Sequence, residues 1–189
     1  FRSLRKRESS RDLPIKIIGI HLKSADSRKN LPLETTIGLI GEILDDPTLY
    51  PIMLVAPTHE ERQLADQINN SFDNKLVAIE SSFSALVSVL NEIDLLVTPD
   101  TAPKHMADLT NTPVVEIATG PAPMRKQGSY QAGNLVVTTK LDCAPCMVKD
   151  KCSHEVKNKC CKIIQPSDIM AAINGVLTPD IPMIDTLSE

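Results

Sequence analysis

The sequence has no apolar run long enough to cross a membrane, and its start does not read as a signal peptide, so cytoplasm is the expected compartment. Phe1 is not an initiator methionine, and a fragment or processed piece is expected. There is no large excess of one charge. A formal net charge of -4 on 189 residues argues against nucleic acid as a partner. Neither a G-x-G-x-x-G run nor a Walker P-loop occurs, so neither standard nucleotide fingerprint applies. No cysteine lies outside Cys143–Cys161, which is too local for disulfides that pin a whole fold. No internal repeat is visible.

What is there is an ordinary globular balance, 42% hydrophobic and 23% charged, enough for one domain with a core of normal size. Short apolar runs alternate with amphipathic stretches. Strands are expected at Ile15–His21, Pro51–Pro57, Lys75–Ile79, Asp94–Thr98, Pro113–Thr119 and Asn134–Thr139. Helical spacing falls at Leu33–Asp46, His59–Phe72, Ser84–Ile93, Ala102–Thr110 and Pro166–Leu177. Strands separated by helices imply right-handed crossovers and a doubly wound parallel sheet, an α/β fold. Residues 1–13, basic and without apolar periodicity, read as a linker or disordered start. The domain is expected over residues 14–177, with a Cys-rich loop at 142–162 and a loose or docking tail at 178–189.

In open parallel sheets ligands bind beyond the carboxyl ends of the strands, so the residues following each strand matter most. After the first come His21, Ser24, Ser27, Arg28 and Lys29, a hydroxyl-rich cationic loop suited to phosphate or to water. After the second, Thr58 suits a helix cap and Glu60 and Glu61 suit the helix dipole; an acid there also suits ribose hydroxyls. After the third, Ser81 or Ser82 reads as a cap and Phe83 as core. After the fourth comes "TPDTAPKHMAD". Asp100 or Thr101 can cap the next helix, and Ala102 leaves its backbone bare for an anion. His105, four residues after Thr101, can point at the same ligand.

Cys143, Cys146, Cys152 and Cys160 follow C-x2-C-x5-C-x7-C, with Cys161 adjacent. This spacing suits a structural tetrathiolate metal site, zinc by default, with His154 able to replace one thiol. Free thiols, or local disulfides on oxidation, fit it equally.

The stretches "IHLKSADSRKNLPLE", "VAPTHEERQLA", "TPDTAPKHMAD", "NTPVVEIATGPAP", "CAPCMVKDKC" and "CCKIIQPSDIMAAI" resemble, in order, the C-terminal half of the ADP-heptose:lipopolysaccharide heptosyltransferase family (glycosyltransferase family 9). The likeness covers Ile15 to Leu177, and the D-T-A-P-x-H block is its most specific part. The resemblance implies a Rossmann-like sheet forming the donor-binding half of a two-domain GT-B glycosyltransferase. It implies that the acceptor-binding half, with the catalytic base, is missing here, so that this piece alone is inactive and contains no catalytic residue. It further implies a nucleotide-sugar donor, ADP-heptose or similar, and a glycan or lipid-linked acceptor of lipopolysaccharide core or related synthesis. The expected setting is the cytoplasm or the inner-membrane surface of a Gram-negative bacterium. Donor-binding roles are implied for Ser24, Lys29, Glu60, Asp100, Thr101, Ala102 and His105. No cofactor is required for the inverting displacement, and iron becomes an alternative to zinc at the cysteines. Leu31, Ala102 and Thr119 depart from the family's usual tryptophan, glycine and phenylalanine, and "HLK" stands where H-P-G is common. A non-catalytic nucleotide-binding or metal-clipped interaction module with the same fold is the competing reading.

Overall fold

The computed structural model describes residues 14–21, 23–121, 131–146, 152 and 154–178. The expected linker at 1–13, the tail beyond Thr178 and part of the Cys-rich loop lie outside the described residues.

Six parallel strands form one sheet in the order β3-β2-β1-β4-β5-β6. They are β1 (Lys16–His21), β2 (Leu49–Val55), β3 (Val77–Glu80), β4 (Leu95–Pro99), β5 (Val114–Ala118) and β6 (Leu135–Thr138). The helices are α1 (Leu33–Asp45), α2 (His59–Asn70), α3 (Phe83–Leu90), α4 (Ala102–Thr110), the short α5 (Lys159–Lys162) and α6 (Pro166–Leu177). Every strand has the expected type. β2 starts two residues earlier than its apolar run suggests, at Leu49, and β3 lies slightly later, at Val77–Glu80.

Helices cover both faces, so the inner strands are apolar on both sides. On one face Ile18, Ile20, Met53, Val97 and Ile117 meet Leu39 and Ile43 of α1 and Ile169 and Ile173 of α6. On the other, Ile17, Leu54 and Leu96 meet Leu86, Val89 and Leu90 of α3 and Ala107 of α4. Gly19 faces that second layer, where an added Cβ would lie 2.6 Å from Ile93 Cδ1. No helix among the described residues is long and apolar enough to cross a membrane.

The chain runs outward from β1 to β3, then returns to lay β4 against the other side of β1. The crossovers leaving β1 and β4 therefore diverge, and a crevice opens between their carboxyl ends. That switch point positions the site.

Candidate functional site

A cleft of 540 Å³ opens at this edge. The ends of β1 and β4 supply His21, Ser24, Asp100, Thr101 and Ala102 as one set of walls. The ends of β2 and β3, with the starts of α2 and α3, supply Pro57, Glu61, Ser82 and Phe83 as the other.

The loop after β1 is braced locally. Ser24 N–H donates to Asn30 Oδ1 at 2.6 Å, and Asn30 Nδ2 donates to the Ser24 carbonyl at 3.2 Å. Asp26 caps the single 3-10 turn Ser27–Lys29 through Arg28 N–H at 3.0 Å and grips the Arg28 guanidinium at 2.9 and 2.7 Å. The hydrogen bond from Arg28 holds the Asp26 carboxyl below its usual range. The Arg28 carbonyl in turn accepts from Thr119 Oγ1 at 2.9 Å and from the Cys161 thiol at 2.8 Å. Thus the residue that follows β5 and a cysteine of α5 fix the loop from behind.

Lys29 reaches across to β4. Its Nζ donates to Asp100 Oδ2 at 2.7 Å and to the Asp100 carbonyl at 3.0 Å. The other carboxylate oxygen, Oδ1, accepts from Lys104 Nζ at 2.6 Å, and Lys104 also donates to Glu116 Oε1 at 3.2 Å. Burial pushes the Asp100 carboxyl up, but the hydrogen bonds and charges of Lys104 and Lys29 outweigh it, so its pKa stays below the ordinary value. Asp100 is thereby an ionised anchor for two ammonium groups, and it does not cap α4.

Thr101 occupies the cap position of α4, yet no side-chain oxygen caps the helix. Its hydroxyl turns instead toward the Pro99 carbonyl at 3.2 Å, Thr98 Oγ1 at 3.2 Å and His21 Nδ1 at 3.4 Å. The backbone at exposed Ala102, where the helix dipole is positive, therefore borders the cleft without a side-chain cap. Thr98 Oγ1 also lies 3.3 Å from His21 Nδ1. Burial lowers the His21 pKa from 6.5 to about 4, so the ring is neutral at physiological pH.

The expected site residues do not all gather. Ser24, Asp100, Thr101 and Ala102 line the cleft, and Lys29 is tied to it through Asp100. Glu60 is exposed and outside the lining; its neighbour Glu61 is buried, lines the cleft and accepts from Ala56 N–H at 2.7 Å through Oε2. The missed signal was periodicity, because Glu61, Ala65 and Ile68 share one helical face and all are buried. His105 is likewise exposed and outside the lining, while Lys104 is fully buried. The acid–base spacing from Asp100 to Lys104 was the available sign. Phe83, expected in the core, is 63% exposed at the cleft rim because it begins α3 rather than filling its inner face.

The cysteines divide. The thiols of Cys146 and Cys160 both lie against Gly120, where an added Cβ would meet them at 3.5 and 3.4 Å. Cys161 turns toward Arg28, and burial with the neighbouring Cys160 pushes its pKa up to about 12. Cys152 Sγ accepts from Asn158 N–H at 3.4 Å. Among the described residues no three His, Cys, Asp or Glu groups converge to hold an ion.

A parallel sheet in this order, with its cleft at the β1/β4 switch, is the Rossmann-like α/β fold of GT-B glycosyltransferases. The chain belongs to glycosyltransferase family 9, the heptosyltransferases, whose family model matches residues 4–157. No curated protein sequence matches it. Among solved structures it is similar to a glycosyl transferase family 9 protein from Veillonella parvula DSM 2008, with a TM-score of 0.72 and 19% identity, covering 94% of this chain and 49% of that one. It is similar to E. coli ADP-heptose lps heptosyltransferase II, with a TM-score of 0.69 and 14% identity over 94% of this chain and 51% of that one. It is also similar to E. coli heptosyltransferase WaaC, solved with ADP, with a TM-score of 0.67 and 17% identity over 87% and 46%. The chain thus spans about half the length of these proteins.

Proposed function

We propose that this chain binds the nucleoside diphosphate end of a sugar donor, as the donor half of an inverting heptosyltransferase-type enzyme, with ADP-heptose as donor. The observation that carries this reading is the cleft at the β1/β4 switch, bordered by the Ala102 end of α4, which has no side-chain cap, and by Asp100, whose carboxylate anchors the Lys29 ammonium. Membership of the heptosyltransferase family and similarity to a structure solved with ADP support it.

The base lies over the apolar wall of Pro57, Phe83 and Leu86. The ribose hydroxyls donate to Glu61, whose Oε2 is fixed by Ala56. The diphosphate meets the Ser24 hydroxyl and the Ala102 N–H at the start of α4, where Pro103 has no N–H and Lys104 N–H bonds the Thr101 carbonyl, with Lys29 close behind. During transfer an acceptor hydroxyl attacks the anomeric carbon, its proton passes to a base outside this chain, and the bond to the diphosphate breaks. Negative charge grows on the departing phosphate, where a fixed cation and a helix N-terminus stabilise it more than they stabilise the bound donor. The product glycan belongs to lipopolysaccharide core or a related polymer.

Titration calorimetry with ADP, UDP and GDP tests the reading. ADP should bind best, and Lys29→Ala should weaken it about tenfold or more, equivalent to about 1.4 kcal/mol. Absence of binding by all three nucleotides would refute it.

A further inference from the structure

Lys104 has no place in the scheme so far, and its position is costly. Its side chain is 0% exposed, and burying an ammonium this deeply is unfavourable unless it is well paired. An apolar side chain of similar volume would serve packing at least as well. We propose that Lys104 is a positioning residue for the diphosphate end of the cleft, fixing the Asp100 carboxylate and taking up part of its charge so that Lys29, placed on Asp100, can still meet an anion, with Glu116 setting how much positive charge is offered to the ligand. The inference rests on the donor-binding reading above.

The geometry is a relay. Glu116 Oε1 lies 3.2 Å from Lys104 Nζ, which lies 2.6 Å from Asp100 Oδ1; Asp100 Oδ2 lies 2.7 Å from Lys29 Nζ. Glu116 comes from β5 and its side chain is 1% exposed, whereas that of Lys29 is 18% exposed. Only the Lys29 end of the relay approaches solvent. Two cations and two anions leave these four side chains with no net charge. Removing the Lys104 charge adds one net negative charge and leaves the whole Asp100 charge to Lys29, which disfavours a diphosphate. Removing the Glu116 charge leaves one positive charge in excess, which favours it. Buried charges are weakly screened, so both effects reach the cleft.

The test is binding of ADP and of adenosine to the 189-residue chain and to its Lys104→Met and Glu116→Gln variants. Lys104→Met should lower ADP affinity about tenfold with adenosine affinity unchanged. Glu116→Gln, nearly isosteric, should raise ADP affinity severalfold, again without moving adenosine; it gives the answer by itself if Lys104→Met does not fold. A purely structural role would move both ligands together, or move ADP the same way in both variants, and either result overturns the proposal. If the unmodified chain binds ADP and neither variant alters that affinity, only the role of Lys104 falls. If it binds neither ligand, the donor-binding reading falls first and this one with it.

Discussion

Lowering the pH should weaken this fold before the carboxyls of Asp26, Glu80 and Asp100 come into play, because of one imidazole. Burial depresses the His21 pKa from 6.5 to about 4, so the unfolded chain takes up a proton that the native chain refuses. A depressed histidine pKa contributes stability that is fully present above pH 6.5 and is lost as pH falls toward 4. Between about pH 7.5 and about pH 5 the expected loss is about 2 kcal/mol. The depressed carboxyls of Asp26, Glu80 and Asp100 act lower, their contributions being lost only as pH falls below starting values of 3.8, 4.5 and 3.8. Urea unfolding at half-unit pH intervals, with a constant m-value as the check on two-state behaviour, measures the slope. His21→Asn removes the titrating group and keeps a polar atom for Thr98 and Thr101, so its stability should be flat over the same range. A wild-type curve that is flat from pH 7.5 to 5, or a slope that survives in His21→Asn, would refute the reasoning.

Two other substitutions test the fold that carries the site. Gly19→Ala places a methyl 2.6 Å from Ile93 Cδ1 and 3.2 Å from Leu54 Cδ1, so overpacking should cost about 1–3 kcal/mol in urea unfolding; a neutral result would mean that the α3 layer is looser than described. Asn111 ends α4 in the left-handed region at φ 55° and accepts from Gln131 Nε2 at 3.0 Å. Asn111→Ala should lower stability by about 1–2 kcal/mol, and Asn111→Gly by much less, because glycine tolerates that backbone. Equal losses for the two would show that the hydrogen bond, not the backbone, decides.

Alternating strand and helix signals survived almost unchanged because local periodicity and tertiary packing asked for the same thing. Val114–Ala118 could be read as a buried strand because all five of its residues are buried, and Pro166 opens α6 where a missing N–H does no harm. Phe83 failed because an aromatic at the first position of a helix has no obligatory inner face. The cysteine spacing remained ambiguous because sequence separation does not set the direction of a thiol. Cys160 and Cys161 are neighbours in the chain, yet one lies against Gly120 and the other donates to Arg28.

By itself the sequence determined the doubly wound sheet, the family and the block from Asp100 to Ala102 as the polar corner. It did so because burial on both faces leaves a strand few choices, and because a helix start restricts the residue types it accepts. The tertiary structure decided which neighbour faces inward, Glu61 rather than Glu60 and Lys104 rather than His105, where periodicity and spacing offer a sign without settling the direction. Adjacent helical residues differ by about 100° in direction, and the packing of each helix against its sheet selects between them. The joining of Lys29 to Asp100 across 71 positions was equally out of reach of the linear sequence, since it depends on β4 returning to lie beside β1.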